Sequence, residues 1–310
     1  MDQSGEWFVI VNPNAGRRKG EKDWLEIAAL LNEAGIQYTN VFTEHPNHAV
    51  KLARKYIENG YRKIIVVGGD GTLNEVVNGV YTQKKYPPKE ITLAMISVGT
   101  GNDWGRSFNI PMGYRDAIQV IKNFNTRLQD VGRVSYLAQN LPKQRHFINM
   151  AGLGFDAMVA KRTNKVKLKG KGGPFSYIIS LFTSLVSYQS INCSVIVDGK
   201  KTSADVFSMS VAICRFNGGG MMQAPDAIPD DGLFDITIIT RVSRFLVLRS
   251  IKKLYDGTFL SMPQVKTFRG AKVEIESDPA LFLETDGESL GHTPMNFEII
   301  PLGITVVVGN

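Results

Sequence analysis

Residues 63–72 read KIIVVGGDGT, an apolar run that passes directly into a glycine-rich turn. A near-continuous apolar run of this kind is typical of a strand that is buried on both faces, as in parallel sheets. A segment with helical periodicity follows, from about residue 73 to 80. The stretch therefore predicts a strand, a tight turn and a helix at the carboxyl edge of a parallel sheet. Backbone N–H groups and the positive end of a helix meet at such an edge, which is where phosphates bind.

Strand and helix alternate in the same way over the first 130 residues. Trp24, Ile27 and Leu31 have the spacing of one helical face, and Gly35 can end that helix. The other predicted strands are 8–11, 37–42 and 91–96, and the other predicted helices are 48–59 and 115–123. The pattern indicates βαβ units with helices on both sides of the sheet. It predicts a doubly wound α/β domain over residues 1–130.

From residue 130 onward, short alternating runs are separated by turn residues. The predicted strands are 192–197, 206–214, 234–239, 272–275, 281–284, 296–300 and 304–308, with helices near 177–188 and 244–255. This texture favours an antiparallel β-sandwich over 131–296. An alternative assignment places residues from about 297 to 310 in the first domain. The amphipathic segment 244–253 is interpreted as a core helix, with a docking surface as the weaker alternative.

Composition limits the class of protein. A chain of 310 residues that is 43% hydrophobic more naturally forms two domains than one. Cys193 and Cys214 lack close histidine partners and are interpreted as core thiols, not as a disulfide or zinc site. No apolar stretch reaches the roughly 20 residues that a spanning helix needs, and no secretory signal is visible, so we expect a cytoplasmic location.

The chain carries a net charge of +7, which favours an anionic partner. Its densest basic run, Lys161 to Lys171, holds six cations and no acid. A solvated loop is the simple explanation of such a run. Nucleic acid is not expected as the partner, because no aromatic residues alternate with these cations.

Two more glycine-bearing turns follow predicted strands, NPNAG at 12–16 and SVGTGND at 97–103. Each of them alone could be a generic loop, and the turn at 68–72 could be a plain connection between strand and helix. Three such turns at one edge of a sheet favour a phosphate site. The site is not a P-loop, because no Gly-Lys-Ser/Thr follows the glycines.

These turns carry a family resemblance. The segments 12–16, 68–75 and 99–106 resemble the catalytic domain of diacylglycerol kinases and of bacterial soluble lipid kinases, relatives of sphingosine and ceramide kinases. Matching segments continue at 149–156, 229–233 and 286–288, so the resemblance runs nearly end to end. It implies that ATP binds between an N-terminal α/β domain and a C-terminal β-sandwich. It also implies transfer of the γ-phosphoryl group to a lipid hydroxyl, with diacylglycerol as the expected type of acceptor.

The resemblance also assigns residues to roles. Nucleotide contacts are expected from Asn12, Pro13, Asn14, Ala15, Gly16, Thr43, Gly68, Gly69, Asp70, Gly71, Thr72, Leu73, Asn74, Glu75 and Thr100. The catalytic base is expected in Asp286-Gly287-Glu288, with Glu288 preferred over Asp286 on the family's pattern. Either carboxylate could reach the acceptor from a tight turn, and a plain hairpin turn is the alternative for this tripeptide.

Magnesium is the expected metal cofactor, because it neutralises phosphate charge and prefers oxygen ligands. By resemblance, Asp103 and Asp130 join Asp70 in a network of acids and water near the phosphates, although turn-capping aspartates are an equal alternative. The resemblance also implies a structural Mg²⁺ held by the Asp231 side chain and the carbonyls of Ile228 and Leu233.

A membrane substrate changes the interpretation of the basic run. Lys161 to Lys171 is expected to dock the protein on an anionic membrane, which implies a peripheral location at the inner face of that membrane. Rival functions are an NAD kinase or a phosphofructokinase-like sugar kinase with a soluble acceptor, and a nonenzymatic lipid or nucleotide sensor. A homodimer is left open, and the sequence does not distinguish among lipid acceptors.

Overall fold

The computed structural model describes residues 5–99, 101–168, 183–185 and 188–310. The chain divides into two compact units, Met1–Val131 with Leu302–Asn310, and Gly132–Pro301. The predicted architecture of two domains, the first α/β and the second β, is confirmed. In the described part of the chain, no helix has both the length and the apolar character needed to cross a membrane.

The first unit is a parallel sheet with helices between its strands. The strands lie in the order β2 (Tyr38–Phe42), β1 (Trp7–Val11), β3 (Lys63–Gly68) and β4 (Thr92–Ser97), and the C-terminal end of β16 (Glu288–Val307) extends the sheet in parallel beside β4. The elements are β1 (Trp7–Val11), α1 (Ala15–Lys22), α2 (Trp24–Glu33), β2 (Tyr38–Phe42), α3 (His48–Glu58), β3 (Lys63–Gly68), α4 (Asp70–Thr82), β4 (Thr92–Ser97), α5 (Asp103–Ser107) and α6 (Tyr114–Asn123).

The apolar run at 63–72 forms the centre of this sheet. Strand β3 lies between β1 and β4, and its residues after Lys63 are buried. On one face, Val9 and Val67 pack with Ile27 of α2 and Ile118 of α6 in a single apolar cluster. The continuous apolar pattern is therefore explained by helices that cover the sheet.

The second unit is built from antiparallel strands. Its elements are β5 (Thr126–Ala138), β6 (Leu141–Phe147), β7 (Met150–Gly154), α7 (Phe155–Leu168), β8 (Ile191–Val197), β9 (Lys200–Ala212), β10 (Phe216–Asn217), β11 (Met221–Met222), β12 (Phe234–Thr240), α8 (Arg244–Asp256), β13 (Val265–Gly270), β14 (Lys272–Ser277), β15 (Phe282–Thr285) and β16 (Glu288–Val307). The long strands β9 and β16 each pair with several partners along their length. The order β9-β7-β15-β16-β14-β8 returns to β9.

Some predicted elements differ from the structure. The strands predicted at 296–300 and 304–308 are parts of one strand, β16, because the turn signal Pro301-Leu302-Gly303 is absorbed as an irregularity in which Leu302 has a φ of 49°. Strands β5, β6, β7, β10, β11 and β13 were not predicted. The helix predicted near 177–188 falls mostly outside the described residues. Cys193 and Cys214 are buried free thiols, as predicted.

Candidate active site

The glycine turn joins β3 to α4 in the first unit. Gly69 is the N-cap of α4 and has extended backbone angles, and the Gly68 carbonyl accepts the N–H groups of Val98 and Gly99 at 2.9 and 3.3 Å. A side chain at Gly68 would place its Cβ 2.7 Å from the Thr72 side chain. A Cβ at Gly99 would lie 3.0 Å from the Gly69 Cα. Glycine is therefore required at position 68 because Thr72 of the same turn lies against it, and at position 99 because two turns lie side by side.

The turn after β1 meets the same two turns. Asn12 donates from Nδ2 to Thr72 Oγ1 at 2.8 Å, and its own backbone N–H bonds the Val67 carbonyl at 2.9 Å. Gly16 has a φ of 59°, and a Cβ there would lie 1.7 Å from the Val98 oxygen. The structure therefore brings the three glycine-bearing turns together at one edge of the sheet.

Asp70 holds the third turn in place. Its Oδ1 accepts the N–H of Trp104 at 3.1 Å, and its Oδ2 accepts that of Asp103 at 3.3 Å. Burial raises the pKa of Asp70, against the opposing effect of these backbone donors. A Cβ at Gly101 would lie 3.1 Å from the Asp70 carboxylate and 3.4 Å from that of Asp103. Two acidic side chains therefore converge on Gly101.

Other predicted nucleotide contacts have structural partners in the first unit. Glu75 caps α3, because its carboxylate accepts the N–H groups of Asn47 and Ala49 at 2.8 and 3.1 Å. Asn74 is buried and accepts from Asn78, and Leu73 is a buried core side chain. Thr43 is buried beside β1, with its N–H bonded to the Val11 carbonyl. Thr100 lies outside the described residues.

Asp130, predicted for the network of acids and water, is fully buried, and its Oδ1 accepts the N–H of Leu302 at 2.7 Å.

In the second unit, Asp286 and Gly287 form a two-residue hairpin turn between β15 and β16. Both have left-handed backbone angles, with φ of 48° and 86°. The buried Asp286 carboxylate accepts three backbone N–H groups, from Ile148, Asn149 and Met150, at 3.0 to 3.1 Å. Glu288, which follows the turn, is exposed. Asp286 therefore fixes the turn against β7.

Sequence reasoning missed a second acid beside this turn. The buried Glu284 accepts the N–H of Gly287 at 2.8 Å, and a Cβ at Gly152 would lie 2.3 Å from its Oε1. Burial raises the pKa of Glu284 to about 8, and the charges of Asp156 and Asp286 add to the effect. Asp156, which accepts from the Ser208 hydroxyl at 2.7 Å, has its pKa raised by burial to about 6. Gly152 and Asp156 belong to the matched segment 149–156, and this was the signal that could have led to Glu284.

We expect Glu284→Gln to change how stability depends on pH. Because the folded pKa of about 8 lies above the ordinary value of 4.5, the folded state holds a proton that the unfolded state releases between these pH values. Stability from this group is therefore present below about pH 4.5 and is lost as pH rises through about 8. Between about pH 5 and about pH 9, the free energy of unfolding of the native chain should fall by a few kcal/mol more than that of Glu284→Gln. Denaturant unfolding at the two pH values measures the difference.

The control for this prediction is Glu274→Gln, which removes an exposed carboxylate from β14. It should keep the pH dependence of the native chain. Equal slopes for the native chain and Glu284→Gln would contradict the prediction.

The Asp231 side chain of the predicted structural magnesium site is paired with a cationic side chain. The Asp231 carboxylate forms an ion pair with Arg269, and its Oδ1 accepts the N–H of Leu233 at 3.1 Å. Arg269 also contacts Asp235 at 3.2 Å, so one guanidinium group pairs with both carboxylates. Within the described ranges, no group of three or more His, Cys, Asp or Glu side chains is arranged to hold a metal.

Comparison with known proteins matches both units. Residues 6–134 match the model of the diacylglycerol kinase catalytic domain, and residues 149–308 match that of the YegS C-terminal NAD kinase beta sandwich-like domain. A protein of Staphylococcus aureus (strain MRSA252) named diacylglycerol kinase is 31% identical over 303 residues, which cover 97% of this chain and 92% of the relative.

Two solved structures are similar in fold. One is a diacylglycerol kinase from Bacillus anthracis str. Sterne, with a TM-score of 0.72 and 22% identity over 98% of this chain and 97% of that one. The other is yeast NADH kinase complexed with NADH, with a TM-score of 0.55 and 13% identity over 98% of this chain and 84% of that one.

Proposed function

This chain belongs to the diacylglycerol kinase catalytic-domain family, and from that premise we propose that it is an ATP-dependent lipid kinase. In this proposal it transfers the γ-phosphoryl group of ATP to a hydroxyl of a membrane lipid, with diacylglycerol as the expected type. The observation that carries the proposal is the meeting of three glycine-bearing turns in the first unit, with Asp70 bonded to two amides of the third.

The turns suit a ligand that carries several phosphates. Gly68 and Gly69 keep the end of β3 free of side chains, and the N-terminus of α4 directs its first N–H groups and its dipole toward the same edge. Phosphoryl transfer depends mainly on positioning the phosphates and stabilising their charge. A rigid set of backbone donors at this edge would provide both.

Asp70 and Asp103 are the residues that would hold Mg²⁺. This ion is commonly held by one or two carboxylates together with phosphate oxygens, so two acids that face Gly101 are a sufficient protein contribution. When bound, the ion neutralises charge on the transferred phosphoryl group. In the same proposal, Glu288 removes the proton from the lipid hydroxyl. The carboxylates of Asp286 and Glu284 accept hydrogen bonds from backbone amides, and these bonds hold the turn that Glu288 follows.

A lipid acceptor requires contact with a membrane, and the basic run from Lys161 to Lys171 is one proposed contact. The structure describes the side chains of only its first cations, Lys161 and Arg162, at the surface of α7. The Lys161 ammonium lies 4.2 Å from the ring centroid of Phe282, which is itself partly exposed. A cation beside an exposed aromatic ring suits the interface between lipid and water.

An NAD kinase is the second candidate, because the yeast NADH kinase shares the fold. That similarity is limited to the fold, so it gives no information about the acceptor. The two candidates differ in the solubility of the acceptor, which can be tested directly.

The experiment is an acceptor panel. The protein is incubated with Mg²⁺, γ-labelled ATP and one acceptor at a time: diacylglycerol, a sphingoid base, ceramide, phosphatidylglycerol or undecaprenol in mixed micelles, or NAD or fructose 6-phosphate in solution. The proposal expects label in a lipid, with diacylglycerol labelled fastest. Label in NAD or the sugar phosphate alone would overturn it.

A further inference from the structure

Helix α8 is a well-defined helix on the surface of the second unit. The Ser243 hydroxyl caps its start by accepting the N–H of Leu246 at 3.2 Å, and Gly257, with a φ of 75°, ends it. Both ends therefore have sequence-encoded stops. The helix does not depend on a bound partner to define its limits.

The inner face of α8 is fixed by apolar packing. Val247 packs against a cluster that includes Phe155 and Val159 of α7, and Ser250 is buried. Because residues three and four positions apart share a face of a helix, Val247 and Ser250 mark the inner face, and the residues about half a turn away from them form the outer face. The core-helix interpretation from sequence is thus wrong for that outer face.

The outer face carries large apolar side chains in solvent. Phe245 is 74% exposed, Leu248 is 40% exposed and Tyr255 is 49% exposed. Their spacing of three and seven residues places them along one side of the helix. An exposed aromatic ring on an ordered helix costs solubility, and clusters of this kind mark contact with another surface.

The same face is cationic. Arg244, Arg249, Lys252 and Lys253 are exposed, and none of them forms an ion pair with another residue in the described part of the chain. The only acid of the helix, Asp256, accepts hydrogen bonds from Thr258. Apolar side chains interspersed with unpaired cations are the composition of a helix that lies in an anionic lipid surface, because the charges complement the headgroups.

A groove beside α8 is also lined by both apolar and cationic side chains. It has a volume of about 350 Å³ and lies between the helix and residues 262–264. Leu246 and Met262 give it apolar walls, and Arg249 and Lys253 line it with positive charge. A lipid phosphate could bind these two cations while its first acyl carbons contact the apolar walls.

We propose that the outer face of α8 and its groove dock this protein on a bilayer that contains anionic phospholipid. Phe245 and Leu248 enter the interface, and Arg249 and Lys253 bind lipid phosphates. The inference rests on the proposed function only in that a lipid kinase needs such a surface. It assigns docking to residues outside the run from Lys161 to Lys171.

The test is sedimentation of the full chain with vesicles made of equal amounts of phosphatidylcholine and phosphatidylglycerol. Arg249→Gln with Lys253→Gln should lower partitioning about 30-fold, since each cation near such a surface contributes a factor of about five. Phe245→Ser with Leu248→Ser should lower it by roughly tenfold, from the loss of apolar burial. Vesicles of phosphatidylcholine alone should bind the native chain weakly.

Two matched controls separate the docking face from general effects. Lys200→Gln with Lys201→Gln removes two exposed cations from the start of β9, and Leu25→Ser removes an apolar side chain that is 80% exposed on α2. Both controls should bind vesicles like the native chain. Equal losses in the charge control and in Arg249→Gln with Lys253→Gln would overturn the proposal.

Two further measurements distinguish failure of the docking proposal from failure of the proposed function. Phosphorylation of a short-chain diacylglycerol dispersed as monomers should be the same in the α8 variants and the native chain. Absence of any transfer by the native chain, with vesicle binding intact, would reject the proposed function and leave docking in place. If Phe245→Ser with Leu248→Ser dissociated a dimer without changing vesicle binding, a second copy would be the occupant and docking would be rejected.

Discussion

Glu288→Gln is expected to lower kcat by about 10²–10⁴-fold, the usual effect of losing a general base. Glu288 follows the tight turn of Asp286 and Gly287 and is exposed, whereas the Asp286 carboxylate is bonded to three backbone amides. Glutamine keeps the size of the side chain but cannot take a proton from the acceptor hydroxyl. The free energy of unfolding should therefore change little, and steady-state kinetics with diacylglycerol in mixed micelles measures the effect.

Two other variants make this result specific. Glu276→Gln removes an exposed carboxylate from β14 and should leave kcat unchanged. Asp286→Asn should lower stability as well as activity, because one amide oxygen replaces an acceptor of three N–H groups, at about 1–3 kcal/mol for each lost partner. An unchanged kcat in Glu288→Gln would remove the base assignment. A loss of kcat in Asp286→Asn at full stability would transfer the role to Asp286.

Asp70→Ala is expected to lower kcat/KM for ATP by about 10²–10³-fold. The substitution leaves the N–H groups of Asp103 and Trp104 without their acceptor, so the third turn moves relative to the Gly68-Gly69 turn. A displacement of about 1 Å in a positioning element can cost about 10²-fold in rate. Loss of one of the two acids that face Gly101 weakens charge neutralisation further.

Stability and a conservative variant distinguish positioning from unfolding. Asp70→Ala should lower the free energy of unfolding by about 2–5 kcal/mol, and Asp70→Asn, which retains one amide acceptor, should be intermediate in both properties. Asp116→Ala, at an exposed position on α6, should match the native chain. Native kinetics for Asp70→Ala would show that this carboxylate does not organise a phosphate site.

Local patterns were sufficient to predict strands β1 to β4 and helices α2, α3, α4 and α6 of the first unit, but not α1 and α5. The buried run at 64–67 is continuous because helices pack against the sheet, and the glycines at 68 and 69 follow it directly. Periodicity could not give β16 as a single strand, because Pro301 and Gly303 have the composition of a turn. Pairing with β4 keeps the chain extended beyond that point.

The sequence predicted site residues correctly where both partners of a contact lie in turns that the sequence pattern identifies. Asn12 and Thr72 are such residues, and their hydrogen bond joins two predicted turns. Glu284 was missed because the alternation of apolar and polar residues along β15 places it on the outward side. Only the pairing of β15 with β7, where Gly152 lies opposite Glu284, buries it. The ion pair of Asp231 with Arg269 could not be predicted from local pattern, because the two residues lie 38 positions apart in sequence.

A competition assay can show whether the three turns bind ATP for transfer to a lipid. Diacylglycerol in mixed micelles and NAD in solution are offered together to the protein, with Mg²⁺ and γ-labelled ATP. Label should enter the lipid fraction, and Asp70→Ala should lose most of it. Label found only in NAD, or label in the lipid that is independent of Asp70, would contradict the claim.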